Sequence, residues 1–332
     1  MRQRGRLPVT GASLVPGGSF PVGPGRHSAG VITPLGPFSL RELALFGFGQ
    51  RHTTEFDGAM RLAFCLDGTW EPVGVTVTQP APDEVHVEGP ASALEQTLRV
   101  LSLDVDARSF AEVEDPLIQR LQAVAPGLRP PLFHSAYEAA AWCVLSARRP
   151  ARQMQSVRAE LSRRHGTVLP EGLCFPTPEQ LLTVDRFPGL DSVKVERLHA
   201  IARAALDGQL DTPTLRAQDP AQVTADLQRL PGIGPFSASL VVLRALGHTD
   251  LLPSDEKNAL ALVGLHYGLG RPATAAELQS IGAAWAPWRL WSLVLIRAAS
   301  TRLPGAPAPR PGSPASPRRR GAAAPARVAL PA

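Results

Sequence analysis

The chain has 332 residues, with 34 Lys and Arg against 29 Asp and Glu, a formal charge of +5, and only three cysteines. That length holds two or three domains and a sizeable core, and no apolar run is long enough to span a bilayer. Cys65, Cys143 and Cys174 lack the spacing of a metal site or a disulfide framework and suit buried thiols in a reducing cytosol, and the N-terminus has arginines but no compact apolar stretch of a secretory signal.

The positive charge is concentrated at the ends. Residues 1–30 carry four arginines and no acid, and residues 301–332 carry six arginines and no acid. Removing those ten from 34 leaves 24 basic against 29 acidic residues, so the body is −5. Binding that rests on many Lys or Arg contacts to phosphate does not fit such a body, whereas grip through backbone amides does.

In chain order, residues 1–30 are rich in Gly, Pro and Ser, without periodicity, and read as a disordered tail. Residues 31–130 read as an α+β domain. The stretch MRLAFCLDGTWEPVGVTVTQ alternates apolar and polar residues around Asp67-Gly68, a hairpin pattern, and EVHVEGP adds a further strand. SALEQTLRVLSL then has helical periodicity, so a small antiparallel sheet with helices on one side is expected. Residues 131–303 read as all-α, with helices near 135–147, 150–165, 177–183, 191–207, 219–229, 235–246, 255–268, 274–283 and 287–300. Thr177 followed by Pro178 marks one helix start. Residues 304–332 form a Pro/Ala/Arg-rich tail, read as disordered and as a source of non-specific attraction to DNA.

The segment with most chemical content runs from Leu230 to Glu256. Leu230-Pro231-Gly232-Ile233-Gly234 is a tight turn between two helical patterns, and Phe236 and Ser237 open the second helix. Glycine lets the backbone turn sharply and approach a ligand closely. The first N–H groups of the following helix have no intrahelical partner and point outward with the positive end of its dipole, which makes a phosphate site without a charged side chain. Asp255 follows Gly234 by 21 positions, after one helix and a turn. An Asp behind a proline also suits a helix cap. Glu256 and Asp250 are the neighbouring acids that could take the same catalytic place.

This segment resembles the helix-hairpin-helix DNA glycosylases, and within them the DNA-3-methyladenine glycosylase II family. RVLSLDVDARSF at Arg99–Phe110, GLRPPLFHSAYEAAAW at Gly127–Trp142 and the stretch Phe175–Asp211 with Lys194 extend the likeness over roughly residues 36–300. The resemblance implies an antiparallel N-terminal domain followed by an all-α helix-hairpin-helix body. It implies a monomer in the cytoplasm, at the nucleoid in a bacterium, acting on double-stranded DNA with damaged bases and away from any membrane. Asp255 is the catalytic acid by this match, and Leu230, Pro231, Gly232, Ile233, Gly234, Phe236 and Ser237 are the DNA-binding hairpin. The position that carries a lyase lysine in bifunctional relatives is Phe236, which cannot form a Schiff base, so hydrolysis without strand cleavage is implied.

The wedge that fills the gap left by a flipped base falls on Arg148, in Val144-Leu145-Ser146-Ala147-Arg148-Arg149, where the family's usual Gln is Ala147. Arg148 and Arg149 equally suit phosphate contact or a solvated helix end. Phe236, Trp142, Phe133 and Leu240 are the candidate base pocket, although Leu240, Glu256 and Arg297 stand where the family has aromatic rings. Trp285, Trp288 and Trp291 have the spacing of core residues. No cofactor or metal is implied beyond a monovalent cation that relatives hold on the hairpin carbonyls, and no cysteine follows Cys174 to build an iron–sulfur cluster. Two readings stay open: a glycosylase that releases alkylated purines, and a weakened relative that binds damaged DNA without base release. An oxidised-purine glycosylase is disfavoured by Phe236.

Overall fold

The computed structural model describes residues 12–14, 28–46, 55–253 and 256–304. Asp255 and most of both terminal segments lie outside the described residues. Five antiparallel strands form a sheet in the order β1-β2-β5-β4-β3. They are β1 (Ala12–Leu14), β2 (Ser28–Pro34), β3 (Ala59–Cys65), β4 (Pro72–Ala81) and β5 (Glu84–Glu88). The reading of residues 1–30 as a tail therefore needs correction at two places. Ala12–Leu14 pair with Ile32–Pro34, and Ser28 already opens β2. Three residues are too few to announce a strand by alternation, and only the neighbouring strand's unpaired edge creates it.

β3 and β4 flank Asp67-Gly68 as expected, paired from Ala59–Thr78 to Cys65–Pro72. Val73, Val75 and Val77 of β4 and Val85 and Val87 of β5 enter the core, where they meet α1 (Leu40–Phe46) and α2 (Leu94–Val100) through Leu40, Leu43 and Leu98. The connection is wider than a two-residue turn: Leu66 donates its N–H to Glu71 at 2.9 Å and Trp70 donates to Leu66 at 3.0 Å. Asp67 is not a solvated turn residue. Its carboxylate pairs with Arg99 at 2.6 Å and accepts from the Thr212 hydroxyl at 3.1 Å. Burial pushes its pKa up, while Arg99 and Thr212 oppose that shift.

The helices that follow are α3 (Pro116–Val124), α4 (Ala136–Ser146), α5 (Ala151–His165) and, after a two-stranded hairpin of β6 (Val168–Leu169) and β7 (Gly172–Leu173), α6 (Pro178–Leu182). Then come α7 (Ser192–Leu206), α8 (Thr212–Arg216), α9 (Pro220–Leu227), α10 (Pro235–Ala245), α11 (Lys257–His266), α12 (Ala275–Gly282) and α13 (Arg289–Ala299). Short side chains set most of the starts. Asp115, Ser135, Asp191, Asp211 and Asp219 each accept a backbone N–H from the first turn, and Thr177 and Thr274 build reciprocal capping boxes with Gln180 and Glu277.

Packing does not follow the boundary drawn at residue 130. Phe110, Leu117, Ile118 and Leu121 share a core with Val263, Leu278, Trp285, Trp288 and Ile296. One sheet face is already covered by α1 and α2, so the apolar stripe of α3 is buried against α13 instead. Trp285 donates its indole N–H to Asp115 at 3.2 Å and Trp288 donates to Ser109 at 3.2 Å, as core tryptophans with satisfied polar ends do.

Arg129 ties the two halves together. It is 1% exposed, and its guanidinium donates to the carbonyls of Leu35, Gly36, Pro37, Ser102 and Val105 at 2.7–3.1 Å. Phe38 and Trp291 lie 5.7 and 5.8 Å from its centre. Burial lowers its pKa to about 10, eased by Asp104 and Asp106. The segment after it runs buried between α2 and α10, where Leu132 donates to Val100 at 2.9 Å and Phe133 to Arg244 at 2.8 Å. Its two prolines, Pro130 and Pro131, reduce the number of buried N–H groups that need partners.

α4 is buried along nearly its whole length and carries an ionised group inside the body. Glu138 meets Arg158 of α5 at 2.6 Å and His134 at 3.2 Å. Burial alone would raise the Glu138 pKa, but His134 and Arg158 outweigh it and hold the carboxyl well below its usual range. Cys143 and Cys174 are free and buried, and burial pushes both thiols up to about 12, which leaves them unreactive. Among the described residues, no helix is long and apolar enough to cross a membrane.

Candidate nucleic-acid interface

The turn between α9 and α10 presents exposed backbone to solvent. Leu230 accepts the N–H of Ile233 at 3.0 Å, and Gly232 takes φ +90°, a conformation that a side chain disfavours. Ile233 is buried and pins the turn to the helical core, while Pro231, Gly232 and Gly234 are exposed. Gly234 is the N-cap of α10, with φ −89° and ψ −178° and no side-chain capping bond, and Pro235 fills the first helical position. Among the described residues, the N–H groups of Phe236 and Ser237 have no partner in the protein.

The two glycines differ in kind. A Cβ on Gly232 would lie 2.7 Å from Cδ of Arg197, so the Arg197 stem rests directly on the turn. A Cβ on Gly234 would meet nothing within 4 Å, and its backbone angles are open to any residue. The fold has no internal need for glycine at 234.

The α4 end is brought to the same face. Cys143 of α4 donates its thiol to the Ser237 carbonyl at 3.7 Å, which joins α4 to the first turn of α10. Arg148 follows α4, exposed and at φ +56°, a left-handed pose that costs a non-glycine residue roughly 1–2 kcal/mol. Lys194 of α7 donates to the carbonyls of Leu145 and Ala147 beneath it. Lys194 and Arg197 stand one turn apart on α7, so the Arg148 loop and the hairpin meet the two ends of a single helical turn.

The base-pocket residues do not converge. Phe236 is 60% exposed at the start of α10, but Phe133 is 1% exposed and Trp142 8%, both in the helical core, and Leu240 is half-buried against that core. Phe133 has no free face for a base: its N–H closes onto Arg244 and its ring belongs to the packing between α4 and α10. Trp142 is likewise absorbed, since α4 is buried along nearly its whole length and leaves no outward face at that position.

Asp255 lies outside the described residues, but both flanks are anchored. Leu252 seats against Gly282, where an added Cβ would lie 2.6 Å from its Cδ1. Glu256, the N-cap of α11, makes no capping bond and pairs with Arg297 of α13 at 2.7 Å. The N-cap position thus belongs to Glu256, and its carboxylate is engaged by a cation. Asp250 is paired with Arg289 at 3.4 Å. Both acids that competed with Asp255 are held by arginines. Arg197 was missed in the sequence. Its contact with Gly232 joins elements more than thirty positions apart, and no local pattern announces it.

No protein-family profile matches the chain. It is 29% identical over 209 residues to DNA-3-methyladenine glycosylase 2 of Escherichia coli strain K12, spanning 60% of this chain and 71% of that one. It is 28% identical over 239 residues to a Mycobacterium tuberculosis (strain CDC 1551) protein named "Probable bifunctional transcriptional activator/DNA repair enzyme AlkA", spanning 66% of this chain but only 46% of that one. Its fold matches a 3-methyladenine DNA-glycosylase from Archaeoglobus fulgidus with a TM-score of 0.67 at 20% identity, over 80% of this chain and 96% of that one. With the antiparallel sheet, the helical body and the glycine turn ahead of α10 in place, the chain has the fold of the helix-hairpin-helix DNA glycosylases and is similar in sequence to DNA-3-methyladenine glycosylase 2.

Proposed function

We propose that this chain is a monofunctional DNA glycosylase of base-excision repair that extrudes alkylated purines from duplex DNA and hydrolyses their N-glycosidic bond. The observation that carries this reading is the open backbone at Gly234 with the unpartnered N–H groups of Phe236 and Ser237 beside it. A phosphodiester laid there meets two amide donors and the positive end of α10 without any side chain in the way. The relative from Escherichia coli bears a name that states the activity, and 3-methyladenine is an alkylated purine of the kind proposed.

The chemistry asks little of the protein. An alkylated purine carries positive charge and leaves as a neutral base once the bond to C1′ breaks. The developing cation on the sugar needs a nearby ionised carboxylate, and the attacking water needs an acceptor to orient it. Asp255 fills both roles in this reading. Water adds to C1′, its proton passes to the carboxylate or to solvent, and an abasic site remains. Phe236 stands at the lyase position and carries no amine, so the strand stays intact. This hydrolysis needs no cofactor, and a monovalent cation on the turn carbonyls would add only to the grip on the backbone. Arg148 enters the gap left by the extruded nucleotide, and the exposed ring of Phe236 offers a stacking face.

The second reading, a binder of damaged DNA without base release, is favoured by one observation. Phe133 and Trp142 are committed to the core, so few aromatic faces remain for a base. Comparing wild type with Asp255→Asn in a base-release assay separates the two. Release of alkylated purine by wild type that disappears in Asp255→Asn, with duplex affinity retained, supports the enzyme. Absence of release by wild type supports the binder. Enzyme-dependent strand cleavage trapped by borohydride would contradict the absence of lyase chemistry.

A further inference from the structure

Lys194 is a buried cation in an unfavourable place. It sits in the first turn of α7, at the positive end of that helix, and is 7% exposed. Burial lowers its pKa; Asp191 counters this, and Arg149 and Arg197 lower it further. A cation placed there does not help α7. Its ammonium instead donates to the carbonyls of Leu145 and Ala147, at 3.1 Å for the second, across the C-terminal end of α4. Helix C-termini leave carbonyls unsatisfied and carry negative partial charge, so the ammonium fits that end as it does not fit its own. The chain beyond is short. Arg149 donates its N–H back to Ser146 at 3.2 Å, Pro150 leads into α5, and Arg148 between them is held at φ +56°.

We infer that Lys194 is the positioning residue for Arg148: it clamps the last carbonyls of α4 and so fixes the strained loop that presents Arg148 beside the hairpin. A loop held by one backbone bond relaxes out of a left-handed pose, because that pose is disfavoured for arginine. Two further bonds from a buried ammonium hold it. Charge-assisted bonds to carbonyls are stronger than neutral ones and resist water at a buried position. The inference rests on the reading of Arg148 as the wedge, but the clamp itself can be tested without any activity.

The test uses the full chain with Lys194→Met, which keeps the stem and removes the ammonium, and Lys194→Gln as a second variant should the first fail to fold. Limited trypsin digestion with mass mapping follows cleavage between Arg148 and Arg149; the next bond, Arg149–Pro150, is not a trypsin site. Cleavage requires local opening, so its rate reports how firmly the loop is held. Release of the clamp should accelerate that cut about ten-fold while cuts elsewhere keep their rates. A rate equal to wild type in a folded variant would overturn the clamp. Base release supplies the second arm. Lys194→Met should slow release from duplex about ten-fold and leave release from single strands within two-fold. In an Arg148→Ala background it should add less than two-fold, since residues that act through one another are not additive. Equal slowing in both backgrounds, or equal slowing on single strands, would overturn the positioning role. If wild type releases no base at all, the glycosylase reading fails while the digestion arm still decides the clamp.

Discussion

Substituting the two hairpin glycines by alanine separates what the fold needs from what DNA needs. At Gly232 the cost is internal. A residue with a Cβ held at φ +90° loses roughly 1–2 kcal/mol, and the unfolded chain's reduced freedom returns about 0.4–1 kcal/mol. The new Cβ would also press on Cδ of Arg197 at 2.7 Å, but that side chain is exposed and swings aside cheaply. The net loss is about 1 kcal/mol, or a fall in melting temperature of ~2–4 °C. At Gly234 alanine meets nothing within 4 Å and needs no unusual angle. Alanine is a poorer N-cap than glycine by ~1 kcal/mol and stiffens the unfolded chain by a similar amount, so stability should stay nearly unchanged. Duplex binding should respond in the opposite order. A methyl group at 234 holds a phosphate off the Phe236 and Ser237 amides. A hydrogen bond to a charged group is worth roughly 1.5–3 kcal/mol, hence a ten- to hundred-fold weaker Kd. Fluorescence anisotropy with a labelled duplex, paired with thermal melts, measures both quantities. Gly234→Ala protein that binds duplex as wild type does would refute the hairpin as the phosphate seat, however stable it proves.

The remaining expectations concern the frame around that seat. Glu138→Gln leaves Arg158 buried without its carboxylate and should cost roughly 3–5 kcal/mol of unfolding free energy by urea titration. The same pair sets an acid limb. Because the folded Glu138 pKa is depressed from 4.5 to about 2, its contribution is complete above pH 4.5 and is lost as pH falls towards 2; Glu138→Gln should flatten that part of the melting-temperature profile. Arg129→Met strands five carbonyls that the guanidinium now satisfies, and should cost more than about 4 kcal/mol, with a soluble yield near wild type counting against the role assigned to it. Arg148→Gly relieves the left-handed pose, so melting should hold or rise by up to about 1 kcal/mol while duplex base release falls; a destabilised variant would contradict the strain.

What the sequence by itself determined is what local chemistry can specify. Alternation around Asp67-Gly68 announced β3 and β4, Thr177 with Pro178 announced a helix start, and Gly232 and Gly234 marked a tight turn between two helices. The nine helices read from periodicity in the body all appear, with ends shifted by a residue or two; α1, α3, α8 and the β6–β7 hairpin were not read from the sequence. Partner choice was not legible. Asp67 reads as a turn residue but is a buried ion-pair partner of Arg99. Phe133 and Trp142 read as pocket aromatics but are core. Lys194 reads only as part of the stretch that carries the family likeness, but it reaches across to α4. Each of these depends on which surfaces dock, and docking joins residues tens of positions apart whose side chains carry no mark of it. Only the tertiary structure therefore decided which cations hold the frame, such as Arg129 and Lys194, and which, such as Arg148 and Arg197, remain exposed beside the hairpin.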